Sequence, residues 1–236
     1  MSFLNAEWRK LLIANYKVDP NILKPYVPAH TELDLWNGQC YVSLVGFMFL
    51  NTRMLGIKFP FHVNFEEVNL RFYVKHFDGV NWKRGVVFIK EIVPKPALTF
   101  VANTVYKEHY QTMPMNHHWA TLNDSRFVEY AWKHKEKWQK AKVVTDLMAK
   151  NIENGSETEF ITEHYWGYSR LNEKVTYEYE VTHPKWQHYE VKDYEINVDF
   201  GLVYGKAFQH LSQQVPSSIM LAEGSEITVE NKRRLG

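Results

Sequence analysis

Disulfides are the first thing this chain lacks. Cys40 is the single cysteine in 236 residues, so no internal bridge forms, and the usage fits a reducing compartment. Long apolar runs are missing too. No stretch approaches the ~18 residues that a membrane-spanning helix needs. The N-terminal segment carries Glu7, Arg9 and Lys10 among its apolar positions, unlike the unbroken apolar stretch of a signal peptide. Charge of one sign is absent. A formal net charge of +1 supplies no global field to steer the protein to nucleic acid or to an anionic membrane. Internal repeats, low-complexity tracts and Gly/Ser linkers are absent as well. These absences point to a soluble cytoplasmic protein of one domain, residues 1–236.

What the chain does have is apolar and aromatic content, 45% and 15% of its residues. Aromatic side chains favour strands and line apolar cavities. The clearest stretch is Phe65–Val93. Val68, Leu70, Phe72 and Val74 fall on one face, with Glu67, Asn69, Arg71 and Tyr73 on the other, the period of a half-buried strand. Asp78-Gly79 and Asn81 supply a turn, and the apolar run Gly85–Val93 returns as its hairpin partner. Leu33–Trp36 and Cys40–Leu50 read as strands around Asn37-Gly38.

Asp19-Pro20 starts a short helix, Pro20–Pro25. Pro96–Tyr106 is a second, with Ala97, Leu98, Val101, Ala102 and Val105 recurring as a helical stripe. Trp8–Tyr16 fits helix or strand. Arg126–Val144 is read as a hairpin. Gly155–Glu159 carries a capping box with Ser156 as cap, continuing through Phe160–Tyr165. Trp166–Ser169, Lys174–Thr182 and His188–Phe200 are expected as strands. Val203–Gln213 is expected as a short helix. Ile219–Ala222 and Glu226–Val229 form a closing hairpin about Glu223-Gly224-Ser225, and Lys232-Arg233-Arg234 a frayed tail. The sum is a mainly β protein with few short helices. Closure into a barrel would remove exposed sheet edges.

Familiar catalytic motifs are missing. Eleven histidines come without HExxH or paired cysteines, and the adjacent pairs His117-His118 and Glu163-His164 would point to opposite strand faces. No metal is expected. GxxxxGK[ST] and GxGxxG are absent, so no nucleotide cofactor is expected, and no GxSxG marks a nucleophile. The basic run Lys133–Lys142 around Trp138 reads as a solvated hairpin rather than a nucleic-acid surface. Attention falls on Glu67-Asn69-Arg71. On a surface strand such alternating charges are routine. Facing a barrel interior they would make a site, or a buried ion pair that sets register.

Several segments together resemble the uncharacterised bacterial YqjF-like family: Phe65–Val74, Gly85-Val86-Val87-Phe88, Gly155–Tyr165 and Val181–Trp186. They span most of the chain. A more distant resemblance is to acetoacetate decarboxylase. Tyr16-Lys17-Val18-Asp19-Pro20 is similar to that family's opening motif, Glu67-Val68 to its catalytic Glu-Val, and Lys107 lies near its Schiff-base lysine.

The resemblance implies a cone-shaped β-barrel with a central cavity lined by Glu67, Asn69 and Arg71, and a small molecule bound within it. It departs at the lysine. A Schiff-base amine must be neutral, and acetoacetate decarboxylase is a known example of a lysine made so by a cationic neighbour. Here Glu108 follows Lys107, and a carboxylate favours the charged amine. Lys90 is followed by Glu91 in the same way.

Two functions are expected from this reading. In the first, an enzyme acts on a small oxo acid or related carboxylated metabolite. Arg71 binds the carboxylate, Glu67 or Glu108 moves the proton, and His117 assists. Lys107 and Lys90 are the amine candidates, and Lys17, Lys90, Asn69 and Tyr110 contact the substrate. In the second, a non-catalytic barrel binds a small molecule. Neither requires a cofactor, and either is compatible with a homo-oligomer.

Overall fold

The computed structural model describes residues 2–236. Fourteen strands, β1 to β14, share one sheet. They are β1 Leu4–Val18, β2 Glu32–Leu33, β3 Cys40–Met54, β4 Phe65–Phe77, β5 Trp82–Val93, β6 Tyr110–Thr112, β7 Met115–Leu122, β8 Ser125–His134, β9 Lys137–Asn151, β10 Trp166–Arg170, β11 Thr176–Thr182, β12 Gln187–Asn197, β13 Ser218–Val229 and β14 Arg233–Leu235. The ambiguous N-terminal stretch is thus a strand. Of the expected Leu33–Trp36 strand, only Leu33 falls in a strand, as the end of β2 Glu32–Leu33 paired along β4, and Trp36 instead bridges to Gln39 across the turn.

The order β11-β10-β5-β4-β3-β1-β13 closes on itself, because β13 also pairs with β11 at Val181↔Val229 and Thr182↔Thr228. From β13 the sheet continues as β12-β9-β8-β7. This extension covers the outer face of β1, β3 and β4, so these strands carry a core on each side. Leu12, Ala14, Val42, Leu44, Val68, Leu70 and Phe72 pack outward against Val128, Tyr130, Trp132 and Val143. Leu11, Ile13, Phe47, Phe65 and Tyr73 pack inside the ring. Fully burying side chains such as Leu70 or Phe72 stabilises by about 1.5–3 kcal/mol each.

The expectation of a half-buried β4 is therefore corrected. Both faces are buried, and the row Glu67-Asn69-Arg71 faces the ring interior rather than water.

Four short helices punctuate the strands: α1 Pro20–Leu23, α2 Pro96–Val105, α3 Glu157–Thr162 and α4 Phe200–Tyr204. Asp19 caps α1 by accepting from the Asn21 N–H at 2.8 Å, and a 3-10 turn carries the chain on to Tyr26. Ser156 caps α3, accepting from the Glu159 N–H at 3.1 Å. The Glu159 carboxylate reaches back to the Gly155 N–H, one residue beyond the usual box. The expected Val203–Gln213 helix is split at Gly205, whose φ of 106° ends α4 before a 3-10 segment, Lys206–Ser212.

The C-terminal expectations are corrected in two places. Ser218–Val229 is one continuous strand, not a hairpin. Gly224 has φ 79° and lies so close to β1 that a Cβ would sit 1.9 Å from the Trp8 carbonyl oxygen. The glycine therefore marks a close approach between strands. The tail is ordered as β14, pairing with β11, and Arg233 forms an ion pair with the fully buried Glu178.

Candidate functional site

The ring encloses a cavity of about 380 Å³ with a largely apolar wall. Ala97, Leu98, Val101 and Ala102 of α2 line one side of it. These are four of the five residues of the helical stripe; Val105 is 38% exposed instead. Phe59 and His62, from the β3–β4 connection, bring the lining out to solvent.

β4 presents its polar row to this space. Glu67 accepts from Asn69 Nδ2 at 2.9 Å and from the Tyr110 hydroxyl at 3.1 Å. Tyr110 is held by a reciprocal pair of bonds between its backbone and the Asn103 side chain of α2, at 2.8 and 2.9 Å. The neighbouring carboxyl of Glu108 accepts from the Tyr179 hydroxyl at 2.9 Å. That approach depends on Gly167, where a Cβ would fall 2.1 Å from the Tyr179 ring.

Glu91 completes a trio of buried carboxyls. It comes inward through an irregularity in the pairing of β5 with β4. The register runs Leu70↔Lys90 and then Arg71↔Phe88. Val86 and Phe88 line the cavity, and after the extra residue so does Glu91. A bulge reverses which side chains face in.

Three carboxyls cannot all ionise in an apolar space. Burial pushes Glu67 up to about 7, against the pull of Asn69, Tyr110 and Arg71. Burial, aided by the charge of Glu67, pushes Glu108 up to about 8. Burial and then the charges of Glu108 and Glu67 push Glu91 well above the usual carboxylate range. The cluster is therefore a store of protons near neutral pH.

Arg71 reaches this cluster only through the pull of its charge on Glu67. Its side chain is buried, and among the described residues no carboxylate lies within ion-pair distance of it. It stacks over the Tyr73 ring at 5.8 Å, and its Nε has no hydrogen-bond partner. Several other lining residues also hold buried atoms without partners: Asn69 Oδ1, Glu91 Oε2 and His164 Nδ1, with Trp8 Nε1 and Thr52 Oγ1 farther along. Unpaired buried polar atoms cost about 1–3 kcal/mol each.

The lysines and His117 are placed elsewhere. Lys107 is exposed, with φ 58°. This left-handed residue follows α2 and turns its side chain to solvent while Glu108 turns inward. Lys90 is turned outward by the bulge, and its ammonium donates to the Val203 carbonyl of α4. Lys17 is exposed at the end of β1. His117 lies on β7, outside the ring, paired with Glu66 at 2.7 Å. Among the described residues no lysine lines the cavity.

Sequence reasoning missed Glu91, Tyr179, Asp34 and His164. Nothing in periodicity marks a bulge, so Glu91 read as the neighbour of Lys90. His164 read as one of an adjacent pair pointing apart. It follows α3 and is buried against Tyr73 and Phe160, with ring centroids at 4.6 and 5.2 Å. Its Nε2 lies 3.2 Å from Asp34 Oδ2, which also accepts from Arg84 Nε at 2.6 Å.

The closed strand ring, with the rest of the same sheet folded over its outer face, is an acetoacetate decarboxylase-like fold. The acetoacetate decarboxylase of Legionella pneumophila superposes with a TM-score of 0.66 at 10% identity, covering 99% of this chain and 87% of that one. An acetoacetate decarboxylase-like enzyme from Sphingomonas wittichii RW1 gives 0.68 at 11%, covering 100% and 94%. The enduracididine biosynthesis enzyme MppR, complexed with pyruvate, gives 0.68 at 11%, covering 100% and 91%. At such identities the likeness is one of fold.

The chain belongs to the DUF2071 family, described as an uncharacterized conserved protein, whose profile matches residues 5–226. A relative is the uncharacterized protein YqjF of Bacillus subtilis strain 168, 28% identical over 187 residues, 78% of this chain and 74% of that protein.

Proposed function

We propose that the cavity binds a small oxo acid or related carboxylated metabolite and that the protein catalyses acid–base chemistry on it. One observation carries this reading: Arg71 is a buried guanidinium without a counter-ion among the described residues. Leaving such a charge unpaired costs several kcal/mol, and a ligand carboxylate offsets that cost through two parallel hydrogen bonds. Glu67, Glu91 and Glu108, which burial makes hold their protons to higher pH than ordinary carboxyls, supply protons, while Asn69 and Tyr110 fix the geometry around Glu67. A protein of the same fold, MppR, binds pyruvate. Schiff-base catalysis plays no part in this reading, because Lys107 is exposed and Lys90 turns toward α4.

The balanced charge and the single buried Cys40 accord with a cytoplasmic protein that handles a metabolite rather than nucleic acid. No helix among the described residues is long and apolar enough to cross a membrane.

A second reading, a non-catalytic binding protein, draws on the apolar wall that α2, Phe47, Phe49 and Phe65 contribute. Thermal stabilisation by pyruvate, acetoacetate, phenylpyruvate and 2-oxoglutarate, followed by NMR of the bound mixtures, tests both. Binding that is lost in Arg71→Gln, with chemical change in at least one acid, supports the first. Binding without change in any acid favours the second. Binding undiminished in Arg71→Gln removes the anchor on which both the acid and its orientation depend.

A further inference from the structure

The cavity wall holds a titratable group outside the carboxyl cluster. His164 lines the cavity with its side chain only 1% exposed. It is packed between Tyr73 of β4 and Phe160 of α3. The charged groups that face it are Asp34 after β2, Arg84 of β5 and Arg71 of β4. Its Nε2 meets Asp34, and its Nδ1 meets nothing in the protein.

The hydrogen bond to Asp34 fixes where the ring proton sits. Burial pushes Asp34 up, but hydrogen bonds from His164 and Arg84 outweigh it and hold the carboxyl below its usual value. Asp34 is therefore a carboxylate and can only accept. Burial pushes His164 down to about 4, so at neutral pH the ring is neutral and carries one N–H. That N–H must lie on Nε2, donating to Asp34. Nδ1 is left with a buried lone pair and no donor to satisfy it. The partner it fits is a molecule that brings a proton, beside an arginine that fits an anion.

We propose that His164, oriented by Asp34, is the proton acceptor of this cavity, drawing a proton through Nδ1 from the carbon next to the oxo group of an acid held by Arg71. This rests on the carboxylate-binding reading of Arg71. In the step, the C–H bond breaks and an Nδ1–H bond forms. The C–H electron pair becomes the C=C of an enol. The carbonyl oxygen takes the proton of the neutral Glu91 carboxyl, whose Oε2 has no partner in the protein. Glu91 lies across from Asn69 on the adjoining strand, two residues along from Arg71. The Asp34 carboxylate offsets part of the burial that disfavours the imidazolium, and it also fixes the tautomer, a standard carboxylate–histidine device. Reversal returns a proton to the same carbon, so solvent deuterium enters the acid even where no net reaction follows.

The test is deuterium incorporation at C3 of pyruvate and of phenylpyruvate in D2O, read by proton NMR, with binding measured in parallel. Wild type is expected to exchange C3 protons faster than buffer alone. His164→Gln retains a donor for Asp34 but has no ring nitrogen at the Nδ1 position. It is expected to lose exchange by at least about 100-fold, the lower end of general-base effects, while acid binding changes little.

Asp34→Asn is expected to lose exchange too. Its amide N–H would donate to Nε2 and drive the ring proton onto Nδ1. Nitrogen-15 NMR of labelled histidine reads the tautomer without any ligand, and is expected to show a bare Nδ1 in wild type.

Exchange that persists in His164→Gln overturns the proposal. So does an acid that binds to wild type without accelerated exchange, or a proton found on Nδ1. In the first two outcomes the Arg71 reading survives. Failure of every acid to bind overturns the Arg71 reading and this one with it.

Discussion

Asn69 and Glu91 lie directly opposite one another on β4 and β5, and both face the cavity because the pairing slips by one residue between Leu70 and Arg71. Without that slip Glu91 would point out and Lys90 in. The cavity would then hold an amine among its carboxyls and a different chemistry. One extra residue in an edge-to-edge ladder thus decides which ionisable group enters the site.

Lys90→Met should therefore leave ligand binding by the cavity unchanged within about twofold, as should Lys107→Ala. Calorimetric titration with an acid that binds wild type checks this. A large loss in either variant would require a side-chain position other than the one described. Lys107→Asn should raise stability by up to about 1 kcal/mol, because asparagine tolerates the left-handed backbone at this position better than lysine does. The denaturation midpoint reports it.

Stability should fall as pH rises from about 6.5 to about 8. Glu67 and Glu108 have folded-state values raised to about 7 and about 8. In the unfolded chain they ionise near the ordinary 4.5. Above that pH the unfolded state has released protons that the folded state still holds, so unfolding is favoured until the folded groups titrate too. Each group contributes a slope of at most about 1.4 kcal/mol per pH unit. His164, lowered to about 4, acts in the opposite sense but only below about 6.5, where the unfolded imidazole gains its proton first. Urea titrations at pH 6.5, 7.25 and 8 measure the slope, and Glu108→Gln should flatten it.

Gly167→Ala should destabilise the protein by about 1–3 kcal/mol, the usual cost of overpacking. The added methyl would lie 2.1 Å from the Tyr179 ring and drive its hydroxyl away from Glu108. The measurement is the urea midpoint. A midpoint equal to wild type would mean that β10 and β11 are not packed as described.

Removing residues 232–236 should cost about 2 kcal/mol or more. Arg233 pairs with Glu178, which is fully buried. Without it Glu178 keeps Lys83 at 3.5 Å and the Tyr168 hydroxyl at 3.0 Å. A buried carboxylate that loses a partner is strongly destabilising, about 3–5 kcal/mol when none remains, and these two partners moderate the loss. A truncated chain as stable as wild type would restore the reading of this segment as a loose tail.

Local order determined much of this molecule. The alternation of Val68, Leu70, Phe72 and Val74 against Glu67, Asn69, Arg71 and Tyr73 defined β4 and its two faces. Asp19-Pro20 and Ser156 with Glu159 marked helix starts, and Pro96 with its apolar stripe marked α2. These signals are local because caps, turns and side-chain periods involve residues a few positions apart. The same period left open what the polar face of β4 looks at, since a solvated surface and a lined cavity have the same alternation.

Tertiary structure decided that question by closing the ring through β11 and β13 and folding β12-β9-β8-β7 over the outer face. It also selected the members of the site. Asp34 and His164 are 130 positions apart, Glu108 and Tyr179 71 apart, and each pair meets only when distant strands come into register. A bulge, a left-handed residue at Lys107 and the burial of three carboxyls together set which side chains face inward and which protons they hold. None of these is a property of any short stretch of sequence, because each depends on what the neighbouring strand supplies.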